Sequence, residues 1–514
     1  MKKILPFTLY LVFTGAYCPA QNDIARLGAY APQASTVYSN ALAGRHSGAY
    51  AERHSNTNAG YHTNAYTSQA LSTAIRRDTA ISGPIPTVKN NKARLADASL
   101  PEPRGWYTGD IHVHRNCGDG TIVLPYDTLA FMMRKNNLSV ISLLADMGNG
   151  EVKDSETDLK KVNGKDSPLS EPGRIIHWDA EWHWDATYSN FSHQALGGHL
   201  VLLGLKNARQ IWDESPYHIL DWARKQKAVS GICHMQYLND EIQNELNCCI
   251  PIDYPVEAAM GTIDFVAEDV YGGHSPNNGT YNSEAAINAY YKLLNCGFRI
   301  GLAAGTDYPC NDYEPLGTLL TYVKVKNKLT YRKWIEGIKK GKTVVSRNAH
   351  NEFMALKVNG KYEPGDDLKI KNNSTVSIEA VWTSTEPLTG RIELMSNGKI
   401  IAVQEGNASP GAPLTLTATQ AFDQSGWICA RRMNENGRQT HTAPVFITVN
   451  KKPVRASADD ARYFIAWIDN ILKNIAPGES WSRYFTKEPE TVRQRYLAAR
   501  NIYQQILDET EAAR

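Results

Sequence analysis

Gly109-Asp110-Ile111-His112-Val113-His114 is the stretch on which the reading of this 514-residue chain turns. Alternate residues of a β-strand share a face, so the apolar-alternating run from 106 to 113 sets both imidazoles on one side of a strand end. Two imidazoles so placed can bind one divalent cation. A His-x-His pair alone is a common surface or core feature. Its weight here comes from acidic and histidine residues further along, each at the edge of another apolar run.

From 105 to about 347 strand-like and helix-like runs alternate. The expected strands are 106–112, 138–145, 174–182, 200–205, 228–233, 262–271 and 298–305, with helical patterns at 126–135, 216–227, 283–295 and 331–340. Such alternation implies an α/β fold, a mainly parallel sheet with helices packed outside it. Seven strands suit a closed barrel better than an open sheet, and in such barrels chemistry collects at the carboxyl ends of the strands.

From 355 to 450 the pattern changes to short alternating strands at 375–382, 391–395, 399–404, 414–421, 426–431 and 444–449. Asn359-Gly360 and Asn397-Gly398 supply turns, so a β-sandwich is expected. The tail reads as helical. Ser457 with Asp460 forms a capping pattern, followed by a stripe of Phe464, Trp467, Ile468, Ile471, Leu472 and Ile475. Pro477-Gly478 ends that helix, and a second runs over 489–508.

The N-terminus carries Lys2-Lys3, an apolar stretch from 4 to 13, and small residues ending in Cys18-Pro19-Ala20. This is the pattern of a secretory signal cleaved after Ala20. A lipid-anchored Cys18 is the alternative, and the bulky Tyr17 before it weighs against that. The apolar stretch is too short to span a bilayer. Residues 21–100 are rich in Ala, Ser, Asn, Thr, Tyr and Gly, with evenly spaced His46, His54 and His62. They read as an exported, disordered leader rather than a metal-binding tract. The expected domains are therefore a signal peptide (1–20), leader (21–100), barrel (101–350), β-sandwich (351–452) and helical segment (453–514).

Formal charge is +2, and Lys2 and Lys3 lie in the segment expected to be removed. A near-neutral mature chain argues against nucleic acid or an anionic membrane surface as the main partner and leaves a small-molecule substrate. Cleavage would leave seven cysteines, at 117, 233, 248, 249, 296, 310 and 429, too few for a disulfide scaffold.

The candidate metal ligands are His112 and His114, then Glu181, then His199 in Gly197-Gly198-His199, then His234, and Asp307 in Gly305-Thr306-Asp307. Asp110 and Asp146 lie close to the set. Oxygen and imidazole ligands of this kind suit Zn, Mn or Fe, and one carboxylate can bridge two ions. Cys117, Cys233 and Cys310 each lie near a metal motif and offer softer ligands.

This ordered set resembles the PHP (polymerase and histidinol phosphatase) metallohydrolases, and more closely their exported CehA/McbA-type branch. The Gly341-Lys342-Thr343-Val344-Val345-Ser346-Arg347-Asn348 turn and the sandwich ending in His441-Thr442-Ala443-Pro444 share in the resemblance, which covers about 105 to 449. It implies a distorted seven-stranded β/α barrel. His112, His114, Glu181 and Asp307 would hold one ion, and Glu181 would bridge to a second held by His199 and His234. Where family members with a third ion supply histidines, the matching places fall near Gly120, at Met147 and at Pro309, all non-ligands, so the resemblance implies two divalent ions.

The expected function is an exported metal-dependent hydrolase that activates water against an ester, amide or carbamate bond. Glu181 would be central, Asp146 an orienting residue or added ligand, and His274 or His183 the proton donor. Arg115 would meet an anionic substrate group. The alternatives are a phosphoesterase of the same fold and a non-catalytic, metal-containing glycan- or peptide-binding protein. If the first and last barrel strands adjoin, a Cys117–Cys310 disulfide is a further expectation.

Overall fold

The computed structural model describes residues 100–117, 122–148, 155–182, 198–211, 215–235, 238, 241–242, 251–269, 284–310, 315–482 and 487–513. The expected signal peptide and all but the last residue of the leader lie outside these residues, as do His183 and His274.

Seven strands carry the first half of the described chain: β1 (Trp106–His114), β2 (Val140–Asp146), β3 (Ile175–Trp182), β4 (Leu200–Leu203), β5 (Val229–Ile232), β6 (Phe265–Asp269) and β7 (Gly301–Gly305). They lie side by side in chain order. Their helices are α1 (Tyr126–Lys135), α2 (Ser155–Leu159), α3 (Pro216–Lys225), α4 (Tyr254–Ala259), α5 (Glu284–Asn295) and α6 (Tyr331–Lys339). The expected parallel order holds except at β4, which runs antiparallel to both β3 and β5.

At the far end the chain returns to its start. Tyr308, just past β7, bridges to Val113 of β1, and its carbonyl accepts a 2.7 Å hydrogen bond from the His114 N–H. Gly305 permits the close approach. A Cβ there would sit 2.5 Å from His112 Cβ and 2.8 Å from His112 N, far inside van der Waals contact.

The interior enclosed by these strands is apolar. Ile111, Val140, Leu144, Ile175, Val201, Leu203, Val229, Phe265, Ala267 and Ala303 form one buried cluster drawn from all seven strands. Sequence periodicity places α6 among the outer helices, yet its Tyr331, Trp334, Ile335 and Ile338 belong to this same cluster. Trp334 is fully buried, its Nε1 donates to the Tyr107 carbonyl at 3.2 Å, and its ring occupies the space that a side chain at Gly109 would need. The helix is an inner plug because its apolar stripe matches a floor lined by small residues. The apolar faces of α1, α3 and α5 pack in the larger outer core, as expected.

Two further strands continue from β1: β8 (Leu320–Lys324), antiparallel to β1, and β9 (Thr343–Ser346), antiparallel to β8. The stretch 341–348, a turn by its sequence pattern, is therefore half strand. Its four strand residues are too few to display alternation. The later strands are β10 (Glu352–Val358), β11 (Asp367–Ile370), β12 (Ser374–Ser384), β13 (Leu388–Ser396), β14 (Lys399–Ala408), β15 (Leu414–Phe422), β16 (Gly426–Asn434), β17 (Gly437–Thr442) and β18 (Val445–Val449). β10, β12 and β15 make a separate three-stranded sheet, whereas β17 pairs with β9, so the second large sheet is continuous with the first. Glu352, fully buried, is satisfied by Arg432 Nη2 at 2.8 Å and Trp382 Nε1 at 2.7 Å, as a charge in a dry core requires.

Helices α7 (Ala458–Asn474) and α8 (Pro489–Ala512) pack against each other and against α4. Ser457 caps α7 by accepting from Asp460 N–H at 3.1 Å. Trp467 Nε1 donates to Ile252 O at 2.7 Å and Tyr503 to Pro255 O at 2.9 Å. Among the described residues no helix is long and apolar enough to cross a membrane.

The plug predicts an asymmetry between two aromatics. Trp334→Ala should cost about 3–5 kcal/mol, the range for truncating a buried aromatic, read as a lower urea midpoint. Phe131→Ala, at an exposed position on α1, should shift stability by no more than about 0.5 kcal/mol.

Candidate metal centre

Three local departures from regular strand geometry build the site. The first is a register shift in β1 between Asp110 and Val113, where β1 pairs with β2. Ile111 belongs to the inner cluster and Val113 to the outer core, so the shift exchanges the two faces of the strand. His112 and His114 thereby turn inward, which is how bulges re-aim side chains beside functional sites. The second is the reversal of β4. His199 precedes its strand rather than following it, and only the antiparallel direction brings it to the rim that carries the ends of β3 and β5. The third is a pair of left-handed backbones, φ +60° at His234 and +52° at Asp307. Non-glycine residues occupy that region at a cost, and they cluster where a site demands it.

The six side chains expected as ligands converge. Nε2 of His112 and of His114 lie 3.3 and 3.1 Å from Glu181 Oε2, and 3.4 and 3.3 Å from Asp307 Oδ1. On the other side, His199 Nδ1 is 2.9 Å and His234 Nε2 3.5 Å from Glu181 Oε1, and these two nitrogens are 2.9 Å apart. The two oxygens of Glu181 thus face two different sets of imidazoles. Ligand atoms about 2.0–2.1 Å from a common tetrahedral centre lie about 3.3–3.4 Å from one another, and most of these separations are close to that edge. Two groups fit a metal ion: His112, His114 and Asp307, and Glu181, His199, Cys233 and His234. The donor chemistry is that of Zn, Mn or Fe.

Electrostatics follow from the packing. Burial acts to raise the Glu181 carboxyl, but the charge of His112 and His199 and hydrogen bonds from His112 and His114 outweigh it and hold the group well below its usual range. Burial acts to lower His114, yet hydrogen bonds to Asp307 and Glu181 push it up to about 9. Two carboxylates in this pocket demand positive charge, and a proton on the imidazoles supplies it where a cation does not.

Asp110 is not a ligand in this geometry but a brace. Its Oδ1 accepts from His112 N–H at 3.0 Å and Thr306 N–H at 3.1 Å, and its Oδ2 from Thr306 Oγ1 at 2.6 Å. It therefore ties the first ligand strand to the turn that carries the last ligand. Burial dominates its titration and raises it to about 7, against the lowering effect of those three hydrogen bonds.

Asp146 lies directly across from Glu181 in the β2–β3 register and accepts from Gly148 N–H at 3.1 Å, but it joins neither ligand group. Arg115 is engaged by Asp158 of α2, with Nε at 2.9 Å and Nη2 at 2.8 Å from Oδ1, and sits over the Tyr126 ring. Cys233 was read from sequence only as an optional soft ligand. Its Sγ lies 3.6 Å from Glu181 Oε1. Cys310, three residues past Asp307, is disulfide-bonded, whereas Cys233, Cys296 and Cys429 form no disulfide. The side chain of Cys117, its expected partner, lies outside the described ones.

No protein-family model and no curated protein matches the chain. Among solved structures, the CARDB domain of a Pyrococcus furiosus protein aligns at 13% identity over 20% of this chain and 98% of that domain, with a TM-score of 0.15. The sulfur carrier protein SoxY from Chlorobium limicola aligns at 10% identity over 19% of this chain and 79% of its own, with a TM-score of 0.15. A beta-glucosidase from Listeria innocua aligns at 10% identity over 37% of each chain, with a TM-score of 0.14. Likeness at this level assigns neither fold nor family.

The brace predicts how two substitutions differ. Asp110→Ala leaves three buried donors without their acceptor and should cost about 3 kcal/mol or more, at about 1–3 kcal/mol for each stranded group. Asp110→Asn keeps an oxygen for both N–H groups and should cost at most about 1.5 kcal/mol. Urea denaturation of the two variants separates these outcomes.

Proposed function

We propose that the chain is an exported metal-dependent hydrolase of the PHP type, with a dinuclear centre that activates water against an ester, amide or carbamate bond. The observation that carries this reading is the disposition of Glu181. One of its oxygens faces His112 and His114, and the other faces His199 and His234, with Asp307 completing the first set.

His112, His114, Asp307 and Glu181 Oε2 would hold one divalent ion. His199, His234 and Glu181 Oε1 would hold the other. Such a pair, when bound, supplies a water of lowered pKa and polarises a carbonyl or phosphoryl oxygen. The chain's own residues set the conditions for that chemistry. The apolar floor beneath the ligands excludes water from below and keeps the local dielectric low, which strengthens every charge interaction above it. Access comes from the rim, where the side chains of Asp307 and His199 are 17% and 12% exposed while the other four ligands are nearly sealed. A rim open to solvent favours catalysis over a purely structural metal. It also weighs against the non-catalytic binding protein.

The choice of bond rests on Arg115. Its guanidinium is taken up by Asp158, which supports a carbonyl substrate over a charged phosphoester. His274 and His183 remain the proposed proton donors to the leaving group, and Asp146 the residue that supports Glu181 from the neighbouring strand. The Lys2-Lys3 signal pattern and the disulfide at Cys310 support export, because disulfides persist in oxidising compartments.

Elemental analysis of protein purified without added metal should find about two ions per chain, falling to one or none in Glu181→Ala. Chelation should destabilise the wild type, and metal restored at a hundredfold excess over Kd should return about 2.7 kcal/mol per site. Hydrolysis of an ester, amide and phosphoester panel should be lost in Glu181→Ala and by chelation. Protein that takes up no metal after reconstitution overturns the proposal.

A further inference from the structure

Resting on the dinuclear reading, we propose that Cys233 is a ligand of the second ion through its thiolate, so that the two halves of the centre differ in chemistry: an imidazole–carboxylate site at His112, His114, Asp307 and Glu181, and a thiolate-bearing site at Glu181, His199, Cys233 and His234.

Adjacent strand residues point to opposite faces, which is why Cys233 and His234 do not read as partners. β5, however, ends at Ile232, and the left-handed backbone at His234 turns the chain back on itself. Both side chains then reach one point. The donor atoms of Glu181, His199, Cys233 and His234 all lie within 4.8 Å of one another, and Cys233 is completely buried. Cys233 N–H is also fastened to the His199 carbonyl at 3.2 Å, which ties two members of the set through the backbone.

The separation of Sγ from Glu181 Oε1, 3.6 Å, is one that two ligands of a common ion would keep. With sulfur about 2.3 Å and oxygen about 2.0–2.1 Å from a tetrahedral centre, the two ligand atoms stand about 3.5–3.6 Å apart. On binding, the thiol proton passes to solvent as the sulfur–metal bond forms. Charge balance favours the step. Two divalent ions against Glu181 and Asp307 leave two positive charges in a buried site, and the thiolate reduces this to one, lowering the cost of desolvating the centre. Sulfur is also the softer donor, so this half should prefer Zn or Fe over Mn, while the other half, built from nitrogen and oxygen, accepts all three.

The test is cobalt substitution of the full-length protein, because a thiolate bonded to Co(II) gives an intense near-ultraviolet charge-transfer band that imidazole and carboxylate do not. Wild-type protein holding two cobalt ions should show the band, Cys233→Ser should lose it, and Cys296→Ser should keep it in full. X-ray absorption of the zinc-loaded wild type needs no variant and should find one sulfur per two zinc ions at about 2.3 Å. Two bound cobalt ions without the band, a band that survives in Cys233→Ser, or no sulfur at zinc would each overturn the thiolate ligand and leave the dinuclear centre standing. A thiol that keeps its proton and merely hydrogen-bonds Glu181 gives this result. Protein that binds no cobalt overturns the dinuclear reading, and the thiolate ligand with it.

Discussion

A carboxylate placed in a dry interior must be neutralised or surrounded by donors, and Glu181 is such a group. It is almost wholly buried, yet four imidazoles stand within 3.5 Å of its two oxygens. Its position at the end of β3 puts it between β1 on one side and the β4–β5 pair on the other. β1, β4 and β5 each deliver a nitrogen to this point, past the intervening β2 on one side, and the backbone is distorted where regular geometry would miss it. The register shift in β1, the reversed β4 and the left-handed residue at His234 each serve to bring an imidazole to Glu181, and the left-handed residue at Asp307 sets a second carboxylate against two of those imidazoles.

Distortions of this kind cost of the order of 1–3 kcal/mol for a strained backbone residue, and they persist only where the surroundings over-determine them. Here the inner cluster does so. Every strand contributes an apolar residue to it, and α6 closes it with Trp334 against β1. Asp110 completes the constraint by joining the β1 ligands to the Thr306 turn. The floor is therefore stabilising and the rim strained, a division that lets the ligands hold positions that would be unfavourable on their own.

That division also explains what could be read from the sequence. Each expected ligand follows or precedes an apolar run, because the run is the buried strand and the ligand is its rim, so His112, His114, Glu181, His199, His234 and Asp307 were visible together. Features that depend on a change of backbone direction were not. Cys233 shows in the sequence only as one of three cysteines near a metal motif; the αL turn at His234 is what brings it into the cluster, and nothing in alternation reports a φ angle. The amphipathic stripe of α6 states that the helix buries one face, not whether that face meets the outside of the sheet or its interior. β17 was missed for a different reason. Arg438, Gln439, Thr440, His441 and Thr442 are polar yet all buried, and their partners lie far away in sequence, so hydropathy reads them as surface.

Those buried polar residues show why the chain beyond 350 is no loosely tethered appendage. The Tyr291 hydroxyl of α5 lies 2.6 Å from His441 Nε2 on β17, and Arg431 of β16 reaches Glu284, at the start of the same helix, at 2.8 Å. At its other end, Asn295 accepts from Trp427 Nε1 at 2.9 Å and donates to Asp460 of α7 at 2.8 Å. The helix is thus gripped along its length by the second sheet and by the C-terminal helices. It leads directly into β7 and so to Asp307, whose strained backbone tolerates little drift if its carboxylate is to stay 3.3–3.4 Å from two imidazoles. Precision at a metal ligand depends on the rigidity of the shell behind it. The second sheet and the last two helices supply that rigidity to the strand that carries the final ligand, which gives them a part in the centre although none of their residues enters it.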